Sequence, residues 1–128
     1  MPEPCPATPW PVEMQDLARV LIGAEELRER VCALGTQISG DYAGQDLLLV
    51  GVLRGVTIFI ADLLRAITIP VTVDFIAISS YGPSLQTGGV VRLTKDLEEP
   101  IEGRHVLFVE DVIDTGLTLS YLLRTLRA

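Results

Sequence analysis

Residues 106 to 119 read VLFVEDVIDTGLTL and concentrate chemistry more than any other stretch of the chain. Glu110, Asp111 and Asp114 put three carboxylates within five residues, and Thr115, Gly116, Leu117 and Thr118 follow at once. The second half suits an anion. Gly116 permits a tight turn and close backbone approach. Successive N–H groups running into a helix N-terminus favour a phosphate, and the Thr115 and Thr118 hydroxyls are further donors. Alone, the pentapeptide DTGLT is equally compatible with a plain capped helix. The acids shift that balance, because carboxylates beside a phosphate repel it unless something neutral or cationic stands between. A ribose diol fits there, since hydroxyls donate well to carboxylates. A hydrated Mg²⁺ also fits, since it takes oxygen ligands and keeps waters. Alternation along a strand predicts that Glu110 and Asp111 point to opposite faces.

These residues need elements to hold them. Leu27, Val31, Leu34 and Ile38 recur at helical spacing and predict a helix over 23–39, with Glu25 and Glu26 in its first turn. The continuous apolar run LLLVGVL, 47–53, predicts a strand covered on both faces, as in a parallel sheet. A helix over 56–67 follows, then a β-branched, alternating strand over 71–81. Residues 82–89, GPSLQTGG, read as a loop, and 90–97 as a hairpin arm. A third core strand over 105–112 leads into a helix from Thr118. Strands alternating with helices indicate an α/β domain with a mainly parallel sheet flanked by helices. In such sheets, ligands bind beyond the carboxyl ends of the strands, which is where 110–118 falls. Three core strands make a thin sheet, so the chain reads as the N-terminal part of a longer domain, incomplete at the C-terminus.

Residues 1–16 hold a Pro-rich stretch, with five prolines in the first eleven positions, and are expected to be an extended, disordered tail. Residues 17–128 are the expected domain. With 128 residues, 48% hydrophobic and 21% charged, the chain is long and apolar enough for one core. A net charge of -7 argues against a nucleic-acid partner, which usually meets a basic patch. Cys5 and Cys32 lack metal-ligand spacing and read as free thiols of a reducing compartment. No apolar run reaches membrane-spanning length, and no basic segment precedes an apolar one at the N-terminus. The expectation is a cytoplasmic protein without a membrane partner.

A substrate with a phosphate, a diol and a metal-bound pyrophosphate would satisfy all the groups of 110–118, and phosphoribosyl pyrophosphate is that substrate. Here VLFVEDVIDTGLTL resembles the phosphoribosyl-pyrophosphate loop of the type I phosphoribosyltransferases, in the form found in the hypoxanthine–guanine branch. LVGVLRG, 49–55, resembles the family's pyrophosphate loop, and ISSYG, 78–82, the Ser-Tyr segment opening its mobile catalytic loop. Order and spacing of the three agree, over about residues 17–128. The resemblance implies a Rossmann-like type I phosphoribosyltransferase fold and transfer of a phosphoribosyl group to hypoxanthine or guanine. It implies Mg²⁺ as cofactor, a 6-oxopurine as second substrate, and a homodimer or homotetramer.

Roles carry over by position. Leu53, Arg54 and Gly55 would bind pyrophosphate, across a Leu–basic peptide that can be cis, a form rare outside proline. Glu110 and Asp111 would hold the ribose hydroxyls and help place Mg²⁺. Asp114 would accept a proton at purine N7. Thr115, Gly116, Leu117 and Thr118 would grip the 5′-phosphate, while Ser80 and Tyr81 would close over the site. Leu117 stands where some relatives carry Lys. The family's base-stacking aromatic, its Lys for the purine 6-oxo group and a further Asp for a second Mg²⁺ come after the last helix, beyond Ala128.

Three alternatives are open: a pyrimidine-operon regulator of the same superfamily, a transferase for another base, and an inactive fragment that only binds phosphoribosyl pyrophosphate. Asp114 favours a purine, because an acceptor facing N7 serves no other base. LFVEDV also suggests a receiver-like signalling domain, but that would need its acidic pocket near the N-terminus and leaves DTGLT without a purpose. Elsewhere, His105 and Trp10 read as packing residues, and Arg92 and Lys95 as a solvated face rather than phosphate ligands. Asp62 and Asp74 have no partner evident in the sequence.

Overall fold

LLLVGVL forms β1 (Leu47–Leu53), and six of its seven residues are buried. The computed structural model describes residues 18–81, 90–113 and 115–127. In chain order the elements are α1 (Ala24–Asp41), β1, α2 (Thr57–Ala66), β2 (Thr72–Tyr81), β3 (Val90–Lys95), β4 (His105–Val109) and α3 (Leu117–Leu126). The sheet order is β3-β2-β1-β4. β1 pairs in parallel with β2 and β4, while β3 returns antiparallel to β2. The expected mainly parallel α/β sheet is present, and the 90–97 arm is its fourth strand. The Pro-rich tail with Cys5 and Trp10, and the 82–89 loop, lie outside the described residues.

The pleat of β1 explains why it is apolar throughout. Leu47 and Leu49 face a cluster built with Ile38 of α1 and Ile60 and Leu63 of α2. Leu48, Val50 and Val52 face the other side, with Ile76 of β2 and Leu122 of α3. Leu122 is wholly buried and anchors α3, a burial worth roughly 2–3 kcal/mol. Two glycines set the layer spacing. A Cβ at Gly51 would come within 3.0 Å of both Ile60 and Phe75, and one at Gly35 within 2.7 Å of the Ala66 backbone. The Ser39 hydroxyl then ties α1 to the segment after α2, donating to the Gly35 carbonyl and accepting from the Thr68 N–H. Only the C-terminal half of α1 packs: Ile38 is buried but Leu27 is half-exposed. α1, at about 27 Å, outruns its neighbour α2, at about 15 Å.

Polar anchors secure the hairpin side and the amino ends of the strands. Asp74, without an evident partner in the sequence, is buried and accepts N–H bonds from Phe75 (2.7 Å), Glu98 (2.7 Å) and Glu99 (2.9 Å). It thereby pins the turn after β3. Lys95 lies 3.6 Å from Asp74 and 3.2 Å from Glu98 and donates to the Phe75 carbonyl, so it is a structural ion-pair residue rather than part of a freely solvated face. Arg92 is exposed. Asp62 pairs with Arg65 on the α2 surface. Arg104 reaches Asp46, Thr72 and Glu99, joining the starts of β1 and β2 to the turn before β4. His105 packs edge-on against Tyr42 at the same end of the sheet, in keeping with a packing role. Among the described residues no helix is long and apolar enough to cross a membrane.

Burial alone would raise the Asp74 carboxyl, but the N–H groups of Glu99, Phe75 and Glu98 and the Lys95 ammonium outweigh it and hold the group below the usual carboxylate range. A depressed carboxylate adds stability above its unfolded pKa and loses it as pH falls through the folded value. Asp74→Ala should therefore cost on the order of 3 kcal/mol in urea denaturation at pH 7, since three N–H donors lose a charged acceptor. The gap from the parent protein should narrow only below about pH 4. A gap that is the same at pH 7 and pH 3 would show that packing, not charge, makes the anchor.

Candidate active site

The first turn of the site leaves β1. The Leu53–Arg54 peptide is cis, as the resemblance implies it can be. The Arg54 carbonyl accepts from both the N–H (3.2 Å) and the hydroxyl (2.6 Å) of Thr57 at the start of α2. The Gly55 N–H belongs to the same planar peptide and faces the opposite way, away from the helix. Arg54 and Gly55 are both exposed. The turn thus offers a backbone donor and a cation to an anion at the carboxyl edge of the sheet.

The second turn leaves β4. Gly116 is the N-cap of α3 with φ +77°, in the left-handed region that favours glycine. The Thr115 hydroxyl accepts from the Leu117 N–H at 3.4 Å. A cavity of about 100 Å³ opens here, lined by Glu110, Val112, Ile113, Thr115, Gly116, Thr118 and Leu119. Whole small-molecule sites run to roughly 300–1,000 Å³, so this cavity is too small for a whole nucleotide. It lies at a helix N-terminus, where anions are favoured.

One expectation is corrected. Glu110 and Asp111 do not point to opposite faces. β4 ends at Val109 rather than at 112, so both acids lie beyond the pleat that would alternate them. The two carboxyl groups are near enough to interact. Partial burial, then the Asp111 charge and the hydrogen bond with it, push the Glu110 carboxyl above the usual carboxylate range. Asp111 Oδ1 accepts the Val112 N–H at 2.8 Å. Its other oxygen occupies the space a Cβ on Gly55 would need. The two turns therefore meet, and Leu53, Arg54, Gly55, Glu110, Asp111, Thr115, Gly116, Leu117 and Thr118 share one end of the sheet.

The remaining expected residues are described only in part. Ser80 and Tyr81 end β2, paired with Val91 and Val90, and their side chains lie outside the described residues. Asp114 itself lies outside the described residues. Sequence reasoning missed Val112 and Ile113, which are 70% and 65% exposed while lining the cavity. The signal was an apolar pair between acids in VEDVID. Among the described residues no cluster of three or more His, Cys, Asp or Glu forms. Glu110 and Asp111 are too few to cage a bare cation but suit a hydrated Mg²⁺ that also takes ligand oxygens, and a cation would relieve their mutual repulsion.

Comparison with known proteins agrees with this geometry. The sequence pattern of the phosphoribosyl transferase domain matches residues 23–128. The chain is 50% identical over 127 residues to the hypoxanthine-guanine phosphoribosyltransferase of Mycobacterium avium, covering 94% of this chain and 63% of that protein. It is 43% identical over 112 residues to the Bacillus subtilis enzyme of the same name, covering 88% of this chain and 62% of the other. The chain thus spans about three fifths of the length of these curated relatives. A crystal structure of a Bacillus anthracis hypoxanthine-guanine phosphoribosyltransferase superposes with a TM-score of 0.79 at 44% identity, covering 85% of this chain and 64% of that one. A Staphylococcus aureus hypoxanthine phosphoribosyltransferase gives 0.81 at 36% identity, covering 88% and 61%. The fold is that of the type I phosphoribosyltransferases.

A carboxyl group raised by folding costs stability once it must ionise: its contribution is full below the unfolded pKa and is lost as pH rises through the folded one. Glu110→Gln should therefore raise Tm at pH 7, and the gain should vanish below about pH 4, where the parent carboxyl is already protonated. An unchanged or lowered Tm at pH 7 would mean that the Glu110 charge is not held at a cost.

Proposed function

The chain belongs to the phosphoribosyl transferase domain family, and on that footing we propose that it carries the phosphoribosyl-pyrophosphate half of a purine-salvage enzyme. The reaction joins phosphoribosyl pyrophosphate to hypoxanthine or guanine, giving IMP or GMP and pyrophosphate. The observation that carries the reading is the meeting of the two turns: Asp111 lies against Gly55 while a phosphate-sized cavity opens beside Glu110. Three subsites for one sugar phosphate follow. The Arg54 charge and the Gly55 N–H take pyrophosphate. Glu110 and Asp111 accept from the ribose hydroxyls. Thr115, Gly116, Leu117 and Thr118 hold the 5′-phosphate at the start of α3.

The same groups serve the chemical step. As pyrophosphate leaves, positive charge develops on the ribose ring, and fixed carboxylates beside it stabilise that charge. Glu110 and Asp111 would also hold Mg²⁺, which when bound neutralises the leaving pyrophosphate. Val112 and Ile113, exposed at the cavity rim, offer an apolar seat for the flat face of a base. Asp114 takes the proton from N7 as the glycosidic bond forms at N9. Ser80 and Tyr81 close over the site and exclude water. A homodimer or homotetramer in the cytoplasm is the setting that family membership favours.

The test is nucleotide formation from phosphoribosyl pyrophosphate with hypoxanthine, guanine or uracil. Turnover of uracil but not the purines would favour a transferase for another base, and tight substrate binding without turnover would favour a regulator or a binding-only fragment. In the active enzyme Asp114→Asn should lower kcat with hypoxanthine by about 10²-fold or more, the usual scale for general acid–base catalysis. KM for phosphoribosyl pyrophosphate should change little, because the amide keeps the shape. An unchanged kcat removes Asp114 from the mechanism.

A further inference from the structure

We propose that Gly55 is a positioning residue for Asp111, so that a glycine in the pyrophosphate turn governs the ribose end of the site. The proposal rests on the reading of Asp111 as a ribose ligand and goes beyond it. The expected reason for a glycine here is close approach of backbone to pyrophosphate. The geometry gives another. Gly55 is not among the glycines with positive φ, which are Gly44, Gly103 and Gly116, so an alanine at 55 meets no left-handed backbone. What it meets is Asp111: the added Cβ would overlap Oδ2 and lie 2.8 Å from the carboxyl carbon and 3.4 Å from Oδ1.

The contact follows from the sheet. β1 and β4 run parallel with Gly51 level with Val109. Beyond that last pair the two chains leave the sheet at the same end, and the Asp111 carboxylate comes to lie against Gly55. Asp111 is held there on two sides, by the Val112 N–H on Oδ1 and by the missing side chain at 55. A carboxylate can rotate away from an intruding methyl, so Gly55→Ala leaves the fold intact. The rotation breaks the bond to Val112 and carries the carboxylate off the diol.

The test compares the parent, Gly55→Ala, Asp111→Ala and the double variant. In the ligand-free protein, the Val112 amide resonance should move in Gly55→Ala in the same direction as in Asp111→Ala. In calorimetry with Mg²⁺, Gly55→Ala should weaken IMP binding about tenfold, the scale of a lost hydrogen bond to a charged group. Added to Asp111→Ala it should weaken binding no further. With the 2′,3′-dideoxy analogue of IMP, Gly55→Ala should bind as the parent does. An unmoved Val112 amide overturns the proposal, as does an equal loss in the Asp111→Ala background or with the dideoxy analogue. If the amide moves but the parent itself does not prefer IMP over the dideoxy analogue, the positioning contact stands and the ribose assignment of Asp111 fails.

Discussion

The parallel register between β1 and β4 is the constraint on which the site depends. Five residue pairs, from Leu47 with His105 to Gly51 with Val109, fix how far each strand runs before it turns. Both chains then leave the sheet at the same end, one into Leu53–Gly55 and the other into Glu110–Gly116. A one-residue slip would exchange the buried faces of β4, turning Leu107 and Val109 away from the α1–α2 layer and Val106 and Phe108 toward it. It would also carry Asp111 off Gly55. Core packing and site geometry are thus enforced together. β1 is buried on both faces, so the register has no cheap alternative.

On the proposed reading, the crowding of acids beside a phosphate resolves in the same geometry. Glu110 and Asp111 open the second turn, and the cavity extends from Glu110 toward Thr115, Gly116 and Thr118. On the proposed reading the sugar lies at the two acids, with a phosphate to either side. Glu110 is partly buried against Asp111 and its ionisation is opposed, a local conflict of the kind tolerated where a ligand or cation is to enter. Nothing in core packing calls for it. The fold offsets such conflict elsewhere, with Leu48, Leu49, Val50 and Ile76 fully buried beneath the turns.

Charge is also used at the other end of the sheet, for a different purpose. Arg104 gathers Asp46, Thr72 and Glu99, and Asp74 gathers three N–H groups and Lys95. The Asp74 carboxylate is thereby paired within the protein, as buried charge must be, and Arg104 is paired through its two terminal nitrogens, while its buried Nε finds no partner among the described residues. At the carboxyl end the exposed Arg54 and the Glu110–Asp111 pair lack such mutual satisfaction. The contrast separates scaffold from site more sharply than residue type does, since both ends use Asp, Glu and Arg.

The sequence by itself determined the strand–helix alternation and the doubly covered β1, because an uninterrupted apolar run can be buried only between two layers. It also determined the turn at Gly116, because glycine is needed for a backbone that other residues adopt with strain. It was silent on Asp74 and Arg104, which reach Glu98 24 residues onward and Asp46 58 residues back along the chain. It misplaced Glu110 and Asp111, because Val112 and Ile113 resume the apolar pattern after the two acids and invite the strand to be carried past Val109. Whether neighbouring carboxylates diverge or converge depends on where pairing with β1 stops, and only the tertiary structure decides that. The same holds for Gly55: its φ demands no glycine, and the reason for one is a side chain 56 positions later, brought beside it by the sheet.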